Sequence, residues 1–273
     1  MGVLKRMFEM MFKKLAFIGI SFFALGNMAM AQSAEEKGLA IMVEADKRDE
    51  GYGDSVGELT MELSNRQGQK SRRKLKIKSF EMADTSVGDK SVVIFDQPRD
   101  IKGTVFLTHS KILDSDDQWI FLPALGRVKR ISSQNKSGPF MGSEFAYEDM
   151  SSREVGKYSY KWLRDEPCGK MTCSVIEAVP LYKNSGYTRL INWIDHEYLQ
   201  ARKTEFYNRR GDLLKVLTLK GYHLYLDQYW RPGDLFMENK MTGKTTRLKW
   251  SRFEFRKGLK EKDFSKARIK TAK

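Results

Sequence analysis

Cysteine and histidine are scarce in this chain, with 2 and 3 residues respectively among 273. Two cysteines cannot build a multi-bridge disulfide scaffold or a four-cysteine zinc site. His109, His196 and His223 lie far apart, and none has a second histidine two or four positions on, so the spacing of a zinc protease is missing. His196 does follow Asp195. Adjacent residues of a strand point to opposite faces, however, so the pair does not read as a catalytic dyad. The chain also lacks a P-loop, a G-x-G-x-x-G turn and a G-x-S-x-G elbow. Long apolar runs are confined to the N-terminus and mean hydropathy is −0.54, which excludes a multi-pass membrane protein. These absences predict a protein that is not an enzyme and that holds no metal or cofactor.

Cations and aromatics are abundant. Lys and Arg number 49 against 35 Asp and Glu, for a formal charge of +14. The 16 Phe, 11 Tyr and 5 Trp are enough to build a core, so the chain is not a disordered tail. A basic chain suits nucleic acid or an anionic membrane surface. The N-terminus chooses between them. Lys13 and Lys14 precede an apolar stretch, Leu15 to Leu25, and Ala29-Met30-Ala31 is a cleavage signal. Residues 1–31 therefore read as a cleavable export signal, leaving 32–273 as a single domain that begins at Gln32. An uncleaved anchor is the alternative, and Met7, Met10 and Met11 leave the start codon open. Export turns the reading away from nucleic acid. With Lys5, Arg6, Lys13, Lys14 and Glu9 removed, the mature charge is +11. Since the first cysteine is Cys168, a lipid-bearing N-terminal cysteine is not expected.

Past the cleavage signal one helix is predicted. Ser33-x-x-Glu36 is a capping box, Leu39, Met42 and Val43 share a face, and Gly51-Tyr52-Gly53-Asp54 is a stop. From Glu58 the period falls to two. Leu59, Met61 and Leu63 alternate with polar residues, and Arg73-Lys74-Leu75-Lys76-Ile77-Lys78 alternates cations with apolar residues. Further strands are expected at 91–96, 104–109, 118–122, 127–131, 158–163, 173–179, 188–194, 202–208, 213–221, 235–239 and 245–255. Turn signals such as Asn65-Arg66-Gln67-Gly68 and Arg209-Arg210-Gly211-Asp212 separate them. Short helices are expected within 142–154 and 263–269. On the order of a dozen strands with short connections and no βαβ alternation predict a mainly β (α+β) fold, an incomplete antiparallel barrel. A sheet this wide need not be filled by its own side chains and can enclose an apolar cavity.

Cys168 and Cys173 flank a turn between two strand-like runs. In an oxidising compartment such a pair closes and pins the hairpin. A redox or metal pair is the alternative, although that chemistry favours C-x-x-C spacing.

Three stretches carry a resemblance. Ser91-Val92-Val93-Ile94-Phe95-Asp96-Gln97-Pro98-Arg99-Asp100-Ile101-Lys102-Gly103-Thr104 is one. Trp119-Ile120-Phe121-Leu122-Pro123-Ala124-Leu125-Gly126-Arg127-Val128-Lys129-Arg130-Ile131 is the second. Phe140-Met141-Gly142-Ser143-Glu144-Phe145-Ala146-Tyr147-Glu148-Asp149-Met150 is the third. In this order they resemble the LolA-like outer membrane lipoprotein-sorting protein family, with Glu144 where the family has Asp. The resemblance implies a LolA/LolB-like half-barrel with short helices over an apolar cavity, in the periplasm of a Gram-negative bacterium. It implies a carrier of lipid or lipoprotein acyl chains bound for the outer membrane. The alternative it implies is an accessory protein docking to an RND-type inner-membrane exporter. Residues expected to line the cavity or its lid are Trp119, Phe121, Leu122, Met141, Phe145, Tyr147, Trp162 and Trp193. Arg127, Lys129 and Arg130, with the 72–78 cations, are expected to meet anionic headgroups or a partner at the membrane periphery.

Overall fold

The structure, a computed structural model, describes residues 32–151 and 154–272. The expected export signal lies outside the described residues.

Helix α1 (Ala34–Lys47) starts as the sequence predicts. The Ser33 hydroxyl accepts from Glu36 N at 3.1 Å, and Glu36 Oε2 accepts from Ser33 N at 2.9 Å. Its buried face shares only Met42 with the predicted one. Leu39 and Val43 are 46% and 47% exposed, while Gly38, Ile41 and Met42 face inward. Gly38 decides this rotation. A Cβ there would lie 2.7 Å from the backbone N of Trp162, so the helix approaches that strand only along its glycine.

Thirteen strands are present, each overlapping an expected run, in one antiparallel sheet. They are β1 (Asp54–Ser64), β2 (Lys70–Phe80), β3 (Lys90–Gln97), β4 (Val105–His109), β5 (Asp117–Leu122), β6 (Arg127–Ile131), β7 (Tyr158–Cys168), β8 (Met171–Pro180), β9 (Tyr187–Asp195), β10 (Ala201–Asn208), β11 (Leu213–Tyr225), β12 (Tyr229–Asn239) and β13 (Thr245–Phe255). The order is β6-β5-β4-β3-β2-β1-β13-β12-β11-β10-β9-β8-β7. Two meanders are thus joined by pairing of β1 with β13, and the ends β6 and β7 do not pair. Strand β12 begins six residues earlier than expected. A hairpin turn with Leu226 and Asp227 at φ 50° and 57° precedes it, and leucine gives no turn signal there. In place of the short helices expected in 142–154 and 263–269 stand 3₁₀ turns at Phe140–Gly142, Tyr147–Met150, Val155–Lys157 and Glu261–Phe264. A disulfide links Cys168 and Cys173 across the β7–β8 turn, with Cα atoms 5.7 Å apart.

One apolar cluster takes a residue from almost every strand: Met61, Leu75, Phe95, Phe106, Ile120, Ile176, Leu190, Phe206, Leu217, Met237 and Leu248 among them. A flat sheet of this width would hold its end strands roughly 55–60 Å apart. Instead the segment 139–149 is hydrogen-bonded to β2, β5, β9, β11, β12 and β13 at once. The sheet therefore curls around this segment, and the face bearing the cluster is the inner one. Two smaller clusters lie on the outer face. One covers β3–β6 beneath the C-terminal residues Phe264 and Ile269; the other lies beside the disulfide.

Candidate functional site

The inner face is occupied by the chain itself. Between β6 and β7 the backbone reverses tightly. Phe140 N donates to Phe145 O at 2.7 Å, Ser143 N to Phe140 O at 2.9 Å, and Pro139 bridges Ala146. Met141 and Gly142 take successive left-handed conformations, φ 50° and 75°, which the reversal requires. It drives Phe140 and Phe145 into the inner cluster, with Met141, Tyr147 and Met150 packed against it. Phe140 meets Phe106 at 5.1 Å, Phe95 at 5.8 Å and Tyr147 at 5.6 Å between ring centroids. Such offset and edge-on ring pairs add to the simple gain from burial.

Polar groups anchor this plug. Arg73 Nη1 donates to Met141 O at 2.5 Å, and Gln118 Nε2 to Tyr147 O at 2.8 Å. Asn239 Nδ2 donates to Glu144 Oε2 at 2.7 Å. Lys215, a buried lysine on β11, donates to Glu144 O at 2.9 Å and to Asp149 Oδ2 at 2.5 Å. Asp149 also accepts from Ala146 N and from the Tyr187 hydroxyl, 2.7 and 2.8 Å away. Its neighbour Glu148 accepts from Gly186 N, Ser185 Oγ and Tyr182 OH. Burial, reinforced by the charge of Asp149, raises the Glu148 pKa despite these donors. A second buried pair, Lys157 with Asp116 at 2.5 Å, fixes the far end of the segment. Beside the plug is a small pocket of mixed character lined by Asp116, Lys136, Glu148, Tyr187, Leu190 and Phe206, with a volume of about 30 Å³. That is room for water and too little for an acyl chain. The apolar concavity expected from the sequence is present as a surface, with the volume over it filled by the chain's own aromatics.

The predicted lining residues divide between faces. Leu122, Met141, Phe145 and Tyr147 belong to the inner cluster or pack against it. Trp119 and Phe121 do not. They sit on the outer face beneath Phe264 and Ile269, because Ile120 and Leu122 take the inward positions of β5. Trp193 is also on the outer face, beside the disulfide, with Lys203 Nζ 3.4 Å from its ring centre. Trp162 lies against α1, where Lys37 Nζ is 3.5 Å from its ring centre and Nε1 donates to Asp165. Arg127, Lys129 and Arg130 are exposed on the end strand β6, and Arg130 pairs with Asp117. Sequence reasoning did not single out Phe140, although it stands within the third quoted motif. Nothing in the local pattern marked Lys215 as buried.

One constellation invites a hydrolytic reading. Ser174 Oγ lies 3.0 Å from His196 Nε2 and 2.7 Å from Asp165 Oδ1. In a working triad serine and carboxylate engage opposite nitrogens of the imidazole. Here Asp165 contacts the same Nε2, at 3.3 Å, so the carboxylate does not orient the ring as a base for the serine. Among the described residues no group of three His, Cys, Asp or Glu is placed to hold a metal, and no helix is long and apolar enough to cross a membrane.

A family model described as an uncharacterized protein matches residues 88–271. An outer membrane lipoprotein-sorting protein domain from Vibrio parahaemolyticus shares 51% identity, covering 86% of this chain and 99% of its own, with a TM-score of 0.84. A DUF1329 family protein from Desulfovibrio piger shares 26% identity over 87% of this chain and 99% of its own, with a TM-score of 0.82. A LolA superfamily protein from Nitrosomonas europaea shares the fold at 20% identity, over 84% of this chain and 98% of its own, with a TM-score of 0.68. No curated protein matches the chain.

Proposed function

The chain belongs to the outer membrane lipoprotein-sorting protein family, and we propose that it is a periplasmic carrier whose inner face takes up acyl chains of lipid or lipoprotein when the 139–150 plug withdraws. The observation that carries this reading is the cover of the inner face. An apolar surface drawn from nearly all thirteen strands is closed by one short segment, where a second layer of sheet or helix would be the permanent solution. Burying an acyl chain gains about 0.8 kcal/mol per CH₂, on the order of 11 kcal/mol for fourteen carbons before ordering costs. Withdrawing Phe140, Phe145 and Tyr147 gives up about 1.5–3 kcal/mol each, plus their polar anchors. The two terms are of similar size, so cargo and plug compete for one surface. Reversible exchange is what a carrier needs. Export through cleavage after Ala31 completes the reading, and N-terminal sequencing of the periplasmic protein checks it.

The principal test is identification of lipids bound to protein purified from its native compartment, with a fluorescent fatty-acyl probe on the delipidated protein. Phe145→Ala is expected to bind the probe more tightly than wild type, because the competing ring is gone. Absence of both bound lipid and probe binding would sink the carrier reading. The alternative, docking to an RND-type exporter, draws on β6. That end strand pairs only with β5, and its exposed Arg127 and Lys129 form no ion pair among the described residues. Capture of an exporter by wild type and equally by an Arg127→Glu/Lys129→Glu variant would remove that support.

A further inference from the structure

The last 18 residues hold eight Lys and Arg against two acidic residues, a net of +6 in a chain of +14. The fold pins this segment to the outer face. Phe264 and Ile269 are buried against Val92, Ile94, Val105, Leu107 and Trp119, and the rings of Phe80 and Phe264 meet at 5.7 Å. Asp54 accepts from the backbone N of Lys257 and Gly258, while His109 Nε2 donates to Phe264 O at 2.6 Å. The carbonyl is only an acceptor, so the proton sits on that nitrogen. The apolar side chains point in and the cations point out. Arg256, Lys257, Lys260, Lys262, Lys266, Arg268 and Lys270 are all exposed. Of these, only Lys257 forms an ion pair among the described residues, with Glu254. Lys78 of β2 is within electrostatic reach of Asp263 and of Lys76, so the outward cations of β2 continue the patch.

We propose that this strap and the adjoining outer face of β2 form a docking surface for anionic phospholipid headgroups. The strap presents its charge along an exposed segment, and of the cations from Arg256 to Lys270 only Lys257 is ion-paired among the described residues. That arrangement matches many mobile phosphates at a bilayer surface better than one shaped ligand. It also differs from charge spread evenly along the chain, in which 18 of 273 residues would carry about +1 of the +14 where this segment carries +6. The surface lies outside the inner cluster, so adsorption and acyl capture use different residues. The proposal rests on the carrier reading only for the membrane being the site of cargo exchange.

The test is co-sedimentation with vesicles of phosphatidylcholine alone or with 30% phosphatidylglycerol, at low and at high salt. Wild type is expected to bind only the anionic vesicles, with binding lost when added salt screens the exposed charges. Lys262→Gln/Lys266→Gln/Arg268→Gln/Lys270→Gln keeps Phe264 and Ile269 and is expected to lose at least tenfold in partitioning. A control removes the same charge at exposed hairpin turns, Lys170→Gln/Lys183→Gln/Arg210→Gln/Lys244→Gln, and is expected to stay within about twofold of wild type. Equal loss in both variants overturns the proposal, since net charge alone then acts. Absence of binding to anionic vesicles overturns it too, and leaves an acidic protein as the partner of the patch. The fatty-acyl probe is run on the same variants. Unchanged probe binding with lost vesicle binding in the strap variant separates this proposal from the carrier reading, and absence of probe binding by wild type that still binds anionic vesicles condemns the latter alone.

Discussion

Gly38 sits in the interior of α1 with room for no side chain. Replacing glycine by alanine inside a helix ordinarily gains about 0.5–1 kcal/mol. Here the new methyl would stand 2.7 Å from Trp162 N, a backbone atom that cannot swing aside. Gly38→Ala is therefore expected to lower unfolding stability by about 1–3 kcal/mol, the usual penalty for overpacking. A higher midpoint in urea would show that α1 does not dock as described. Two carboxylates give pH signatures of opposite sign. Burial raises the Asp89 pKa from 3.8 to about 6, with the neighbouring Glu154 and Glu81 adding to it against hydrogen bonds from Met82 N and Tyr52 OH. Its stabilising contribution is complete below about 4 and lost as pH rises through 6. Wild type should thus gain stability relative to Asp89→Asn on going from pH 7 to pH 4. At Asp165 partial burial acts upward, but hydrogen bonds from Trp162 and Ser174 and the charge of Lys37 outweigh it and hold the group at about 2. That contribution is present above 3.8 and lost as pH falls toward 2, so the deficit of Asp165→Asn should be full at pH 6 and vanish near pH 2. Thermal melts across pH check both.

The plug is the element whose stability matters most for the proposed exchange. Its buried pair, Lys215 with Asp149, joins β11 to the segment, and removing one partner of such a pair costs about 3–5 kcal/mol. Lys215→Met is expected to speed amide hydrogen exchange over 138–150 while the β1, β2 and β13 amides remain protected. Uniform acceleration across the sheet would mean that plug and sheet open as one unit. The disulfide is a smaller device. It closes a ring spanning Cys168 to Cys173, which the chain-entropy argument values at about 2 kcal/mol. Cys168→Ser/Cys173→Ser should therefore fold and unfold cooperatively with a modest loss.

At the scale of the whole molecule the critical pairing is β1 with β13, residues nearly 200 apart in sequence. It joins the two meanders, and the residues after β13 supply Phe264 and Ile269 to the outer face. A chain ending at Gly243 would lose both. It is expected to show no cooperative unfolding transition by circular dichroism, and a sharp transition would show that the meanders fold independently. A topology so dependent on distant pairing is also expected to refold slowly.

Much of this architecture was legible in the residues. Alternation of period two located every strand, Ser33 and Glu36 marked the helix start, and the spacing of Cys168 and Cys173 matched a hairpin clasp. These features depend on interactions within a few residues, which local sequence controls. What alternation does not contain is which of two faces turns inward. That is why Trp119, Phe121 and Trp193 read as lining residues and stand on the outer face, while Phe95 and Phe106 passed unnoticed on the inner one. The same holds for the plug. Phe140 and Asp149 belong to a recognisable motif, but their partners Phe106, Tyr187 and Lys215 come from three distant strands. Sequence by itself determined the β class, the strand count and the turns, because side-chain period and turn chemistry are local. Only the tertiary structure decided that the sheet curls around its own chain and wears a cationic strap outside, because both follow from long-range burial of apolar surface.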